Sequence, residues 1–348
     1  MKRIAIAIFS VGLFATSVSA QQKQPFTLPQ VKQQPQAGRR ALRLRPVHTY
    51  SIVARDPATG ELGVAVQSHW FSVGTAVPWA EAGVGAVATQ SFVDSSYGPL
   101  GLELMRAGRS APEALRGLLA ADEGRDVRQV AMIDAQGRVA AHTGKKCIAA
   151  AGHQTGANYS VQANLMDKPT VWPAMARALE AAKGDLTDKL LAALEAAQRE
   201  GGDIRGQQSA AILVVAGKPT GRPWADRKVE LRVEDSPNPL GELRRLIQVQ
   251  RAYQHMDAGD NCSTEKNWDC AAREYGAAEK LLPDQMEVVF WHAVTLVTGG
   301  KVEEALPLFK KVFAREPKWA ELVERLPASE LLPNDPGLLA RIKSQRVP

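Results

Sequence analysis

Cysteine is scarce: Cys147, Cys262 and Cys270 are all that 348 residues contain. So few exclude a disulfide-dense small scaffold, and the odd number leaves at least one thiol unpaired. Cys262 and Cys270 are near enough in sequence to join across a loop and the following helix, while Cys147 stands far away; geometry decides whether they do. Metal-ligand spacing is missing as well. His142, Cys147 and His153 are suitable types, but they fall around a strand end and a loop, where turn residues and a partly buried thiol account for them, so neither a metal nor another cofactor is expected. The apolar run Ile4 to Phe14 is too short to span a bilayer, and no other stretch approaches membrane length. Charge of one sign is not concentrated. Lys plus Arg number 43 and Asp plus Glu 37, a net charge of +6, and the basic residues are scattered, which leaves a nucleic-acid role without a motif. Aromatic residues make up 6% and hydrophobic residues 45%, the composition of a soluble globular protein.

The length suits one large domain or two ordinary ones, each able to bury a core. Lys2-Arg3, the apolar run and the small-residue ending Val18-Ser19-Ala20 together form a secretory signal pattern over residues 1–20. The expected mature protein is therefore exported, periplasmic or secreted, with no membrane span once the signal is removed. Residues 21–46 are rich in Gln, Pro and basic residues with almost no periodic apolar signal, which predicts a disordered lead-in.

A folded domain starts at Val47 or His48 and is expected to run through residue 236. Thr49, Ser51 and Val53 alternate with Tyr50, Ile52 and Ala54, the period of a strand, and Asp56-Pro57 with Thr59-Gly60 supplies a hairpin turn into Leu62 to Val66. A hydroxyl residue thus heads the first strand. Such a residue can be a nucleophile whose own freed amine is the base, or simply a β-former on a strand face. Val73 to Val77 and Val84 to Thr89 are expected as further strand, interrupted by Pro78 and Gly83. Ser95 to Gly108 is expected as a helix with Leu100, Leu104 and Ala107 on one side, and Ser110 with Glu113 forms a capping box for another.

Strands Gln129 to Asp134 and Arg138 to His142 flank the turn Ala135-Gln136-Gly137, and Asn158 to Leu165 adds one more. Two helices, Pro169 to Lys183 and Leu186 to Glu200, precede the apolar strand Gln208 to Val215 and the outer strand Val229 to Val233. Strands in groups and helices in pairs predict an α+β layered fold with a helix pair on each side.

Beyond Pro237-Asn238-Pro239 the pattern is wholly helical through residue 348. Ala271, Tyr275, Ala278 and Pro283 recur 34 residues later as Ala305, Phe309, Val312 and Pro317, the period of a tetratricopeptide helix pair, with Asp257 to Asn267 expected as a loop in the first unit. A small all-α tetratricopeptide-like tail that holds a protein partner and a bundle that caps the main domain both fit this pattern. An exposed sheet edge or helix face also offers a surface for a second copy of the chain.

Several motifs in order carry a resemblance. They are Gly83-Val84-Gly85-Ala86-Val87-Ala88-Thr89-Gln90, Tyr97-Gly98-Pro99, His142-Thr143-Gly144, Ala151-Gly152-His153, Val161-Gln162-Ala163-Asn164 and the run Gly201-Gly202-Asp203-Ile204-Arg205-Gly206-Gln207-Gln208-Ser209. With the strand start at Thr49, the chain from about His48 to Arg251 resembles the domain-of-unknown-function 1028 family, whose fold is similar to the N-terminal nucleophile (Ntn) hydrolases. The resemblance implies a four-layer αββα sandwich, and it matches Thr49 to the nucleophile of such hydrolases, acting on an amide or peptide-like bond without a cofactor. That chemistry needs a free amine on Thr49 itself, so residues 21–48 would have to be removed after the signal. Ser68, Gln90, Ser91 and Asn164 sit at strand ends that converge near Thr49 if their strands are neighbours, with Asn164 or a backbone amide as oxyanion donor. Asp203 and Arg205 either bind a substrate carboxylate or form an internal ion pair that fixes their loop. His69 and His153 are candidate proton carriers or substrate contacts. A rival expectation is a scaffold that keeps this fold without its chemistry and binds a protein or peptide.

Overall fold

The structure, a computed structural model, describes residue 47 and residues 49–346. The expected signal and the whole expected lead-in lie outside the described residues.

In chain order the elements are β1 (Thr49–Arg55), β2 (Leu62–Ser68), β3 (Pro78–Glu81), β4 (Gly85–Ser91), α1 (Tyr97–Arg106), α2 (Ala111–Ala121), β5 (Arg128–Asp134) and β6 (Val139–Thr143). There follow β7 (Gly152–Gly156), β8 (Tyr159–Ala163), α3 (Val171–Ala181), α4 (Leu186–Arg199), β9 (Ser209–Val215), α5 (Pro223–Asp226) and β10 (Arg227–Val233). The rest is helical: α6 (Pro239–Thr264), α7 (Trp268–Leu281), α8 (Met286–Thr298), α9 (Val302–Arg315), α10 (Trp319–Leu322) and α11 (Pro336–Lys343).

The strands form two antiparallel sheets, one in the order β10-β9-β2-β1-β8-β7 and one in the order β3-β4-β5-β6. Alternation along β1 explains its central place. Val53 faces an apolar cluster shared with Val64 and Val66 of β2, Ala86 and Ala88 of β4, and Ala131 and Ile133 of β5, which fills the space between the sheets. Tyr50, Ile52 and Ala54 face the other way, into a cluster with Met175, Leu190 and Leu194 of α3 and α4. Burying Leu190 and Leu194 completely contributes about 2 kcal/mol each. Helix α4 comes this close because Gly63 faces it: a Cβ there would lie 2.6 Å from a Leu190 methyl carbon. On the second sheet, Val87, Val130 and Met132 pack under α1 and α2.

The β1–β2 turn forms as its residues predict, with the Asp56 carboxylate accepting from the backbone N–H of Ala58 and Thr59. Ser110 and Glu113 form the expected capping box of α2. Other expectations need correction. Val73–Thr75 is a 3-10 turn, and the strand begins only at Pro78, where an edge position tolerates a residue without an N–H. The buried side of α1 is Gly98, Gly101, Leu102 and Met105, with Leu100 exposed. Strand β7, a short edge of Gly and polar residues, had no strand signature.

The expected loop over 257–267 is mostly helix, because α6 runs through Thr264 and only Glu265 to Asn267 turn into α7. Gly259 lets α7 pack close against that continuation, since a Cβ there would meet the Tyr275 ring of α7 at 2.6 Å. The helices pack in sequence, α6 on α7, α7 on α8 and α8 on α9, and α6 also lies against β9 and β10. All six apolar residues of the 34-residue spacing, from Ala271 to Val312, are buried. Cys262 and Cys270 are disulfide-bonded across the α6–α7 turn, with S–S 2.03 Å, and Cys147 is free. A Cys262→Ser chain should be about 2.5 kcal/mol less stable than the oxidised wild type and equal to it in excess reductant. Equal urea midpoints for the two oxidised proteins would refute a stabilising cross-link.

Candidate functional site

Position along the strands decides which polar residues meet. At the end of the inter-sheet layer where β1 begins, the inward-facing positions change from Val, Ala and Ile to Thr49, Ser51, Ser68, Gln90, Gln129, Gln162, Asn164 and Ser209, with Ser160 farther along β8 opposite Val53, each completely buried. Thr49 pairs with Ser68 and Tyr50 with Ala163, so β2 and β8 flank the head of β1, while Gln90 and Gln129 face it from the other sheet.

The Thr49 hydroxyl donates to the Val47 carbonyl at 3.0 Å and lies 3.3 Å from the Ser68 hydroxyl. The Gln90 amide donates to the Thr49 carbonyl at 3.2 Å and to Gln129 Oε1 at 2.6 Å, and Asn164 Nδ2 donates to the same two oxygens at 3.5 and 2.9 Å. Gln129 is the hub. Its Nε2 lies within hydrogen-bond distance of Thr143 Oγ1 at 2.9 Å and of the carbonyls of Gly152 and Ala163 at 3.2 and 2.9 Å. A side branch joins Gln162 Nε2 to Ser51 Oγ at 2.6 Å and Ser160 Oγ to Gln162 Oε1 at 2.8 Å. Such a network can hold a hydroxyl in place and present amide donors to a carbonyl oxygen. Gln90 Oε1 is buried with no partner among the described residues, a vacant acceptor within this layer.

Thr143 carries the network outward, 2.8 Å from Nδ1 of the exposed His153. Partial burial, with the nearby His142, lowers the pKa of His153, which favours the neutral ring. Ser91 ends β4 in the left-handed region, with φ 69, and its backbone pairs with Val47: Val47 N–H to Ser91 O at 2.7 Å and Ser91 N–H to Val47 O at 2.9 Å. Burial pushes the Cys147 thiol up, and its Sγ donates to the Arg128 carbonyl at 3.3 Å.

Thr49, Ser68, Gln90 and Asn164 are thus brought together, Ser91 adjoins them through Val47, and His153 is reached through Thr143. Asp203 lies elsewhere. Its carboxylate is paired with Arg205 at 2.7 Å and accepts the His69 N–H at 3.2 Å, and its charge acts on Tyr50, whose ring faces the helices. The ion pair between Asp203 and Arg205 that the sequence allows is formed. His69 Nδ1 lies 3.3 Å from the Gln207 carbonyl. Gln129, Gln162 and Thr143 carry no site role in the sequence reading, although a Gln at an inward-facing position of an apolar strand is a readable signal.

Among the described residues no group of three or more His, Cys, Asp or Glu could hold a metal ion, and no helix is long and apolar enough to cross a membrane. A cavity of about 460 Å³ lies between the edge strands β3 and β10, lined by Trp79, Arg106, Arg227 and Arg232 among others and by none of the residues around Thr49.

A family model described as Family of unknown function (DUF1028) matches residues 49–243. The crystal structure of protein SPO2555 from Silicibacter pomeroyi, assigned to the same family model, is similar at 33% sequence identity with a TM-score of 0.52. The match covers 58% of this chain and 88% of that one. No curated protein matches.

Proposed function

The chain belongs to the family of unknown function DUF1028, and from that premise we propose an exported hydrolase of the Ntn type, a four-layer αββα sandwich with a tetratricopeptide-like helical tail. Thr49 is its nucleophile, acting on an amide or peptide-like bond once the residues before it are removed. The observation that carries this reading is the buried polar layer around Thr49. Burying so many uncharged polar groups is costly unless each is hydrogen-bonded, and the far end of the same inter-sheet space is filled with Val, Leu and Ala instead. A layer kept only for packing would be apolar throughout.

In this mechanism the freed amine of Thr49 takes the proton from its own hydroxyl as Oγ1 attacks the substrate carbonyl carbon. The oxyanion that forms is stabilised by an amide donor; that Asn164 Nδ2 and Gln90 Nε2 both donate to the Thr49 carbonyl supports this role for them. The C–N bond then breaks, the amine leaves with the proton, and water attacks the Thr49 ester to release the acid. Ser68 orients the hydroxyl from 3.3 Å.

One observation favours a second reading, a silent binding or assembly module. In the chain as it stands the Thr49 nitrogen is an amide, and Val47 remains bridged to Ser91. The intact mass of the mature protein from the envelope fraction separates the two. A chain starting at Thr49 is the expected result, and a chain starting at Gln21 would leave Thr49 without a base and end the hydrolase reading.

A further inference from the structure

Residue 47 is not a loose approach to the first strand. It makes a two-hydrogen-bond antiparallel bridge to Ser91, its side chain is 1% exposed, and it belongs to the inter-sheet apolar cluster with Val66, Val77 and Ala88. Its carbonyl accepts two hydrogen bonds at once, from the Ser91 N–H at 2.9 Å and from the Thr49 hydroxyl at 3.0 Å. Ser91 holds a left-handed backbone, an arrangement that costs about 1 kcal/mol or more for a non-glycine residue and that concentrates at ligand clamps. On β4 the Thr89 N–H donates to the carbonyl of Val77, just before β3, so Val47 extends the row of partners beside β4.

We infer that the Ser91 backbone and the small apolar space taken by Val47 are a peptide-binding subsite, and that its ligand is a peptide with a valine-sized aliphatic side chain two residues before the position of Thr49. This rests on the reading that the segment before Thr49 is removed. Removal takes away the partner of two buried backbone groups, and an unpaired buried N–H or C=O costs about 1–3 kcal/mol. A peptide backbone restores both hydrogen bonds at once, in the manner of a strand added to a sheet. A charged or large side chain at that position does not fit, because the space is apolar and the size of valine. Val47 therefore acts before removal as the site's own tethered occupant.

The test uses the full-length chain, wild type and Val47→Asp, each checked for folding by thermal melting. The probe is a labelled peptide with the sequence of residues 45–48, acetyl-Arg-Pro-Val-His amide, followed by fluorescence anisotropy. Two comparison peptides carry aspartate in place of valine or an N-methyl group on the valine nitrogen, which removes the donor to Ser91. The carboxylate of Val47→Asp should vacate the subsite. That variant should then bind the valine peptide at least tenfold tighter than either comparison peptide, and at least tenfold tighter than the wild type does. Val47→Ala, which competes more weakly than valine, should give the same ranking of peptides if the aspartate variant does not fold. Equal affinity for the three peptides, or no binding to a folded variant, overturns the inference. Hydrolysis is not read here. A chain that ranks the peptides and never cleaves an amide loses the hydrolase reading and keeps the subsite; a chain that starts at Thr49 and ranks none of them loses the subsite alone.

Discussion

A Thr49→Ala chain should lose amide hydrolysis altogether, falling by about 10⁴-fold or more to the uncatalysed background, because the variant has an amine but no oxygen to form the ester. Thr49→Ser should keep the activity within about tenfold, since the hydroxyl and the amine on the same residue are what the chemistry needs. The alanine variant must also fold. Thr49 is completely buried, and its hydroxyl serves the Val47 carbonyl and the Ser68 hydroxyl, so losing it should cost about 1–2 kcal/mol, little enough for a folded protein. Hydrolysis of a panel of acyl amides and small peptides by the mature chain checks this, with a thermal melt alongside. An alanine variant that cleaves at the wild-type rate removes Thr49 from the mechanism.

The largest effect on stability should come from Gln129→Leu, about 4 kcal/mol. Leucine has nearly the volume of glutamine, so the loss is polar and not a cavity. Gln129 Oε1 accepts from Gln90 and Asn164, and its Nε2 serves Thr143 and the carbonyls of Gly152 and Ala163. Each buried hydrogen bond lost costs about 0.5–1.5 kcal/mol, and all those of Gln129 are lost together. Ile133→Val, four positions along the same strand in the apolar part of the inter-sheet layer, should cost only about 1 kcal/mol. Urea unfolding at unchanged slope measures both. A Gln129→Leu loss no greater than that of Ile133→Val would mean that the network contributes nothing beyond packing.

Much of the architecture could be read from residue order, because it rests on local chemistry. The alternation of Thr49 to Ala54, the Asp56 turn, the capping box of Ser110 and Glu113, and the 34-residue spacing from Ala271 to Val312 each depend on neighbours a few residues away or on a repeated pattern. Local patterns mislead where distant neighbours decide. The register of α1 follows the sheet beneath it, β3 owes its place to an edge that tolerates Pro78, and α6, which extends through Thr264, is packed there by α7, whose Tyr275 ring Gly259 admits.

The candidate site divides in the same way. Residue types at strand ends singled out Thr49, Ser68, Gln90, Ser91 and Asn164, and the strand period already required that alternate positions share a face. Which sheet each face meets is not a local property, so the hub at Gln129, the outward path through Thr143 to His153, the separate ion pair of Asp203 with Arg205, and the bridge from Val47 to Ser91 came only from the tertiary structure. The sequence by itself determined the pattern of strands and helices and the candidate nucleophile, because backbone and side-chain preferences act over a few residues. Only the packing of one sheet on the other decided which polar groups are buried together, because that pairing joins positions up to 72 residues apart and depends on strand order and register that no short-range preference encodes.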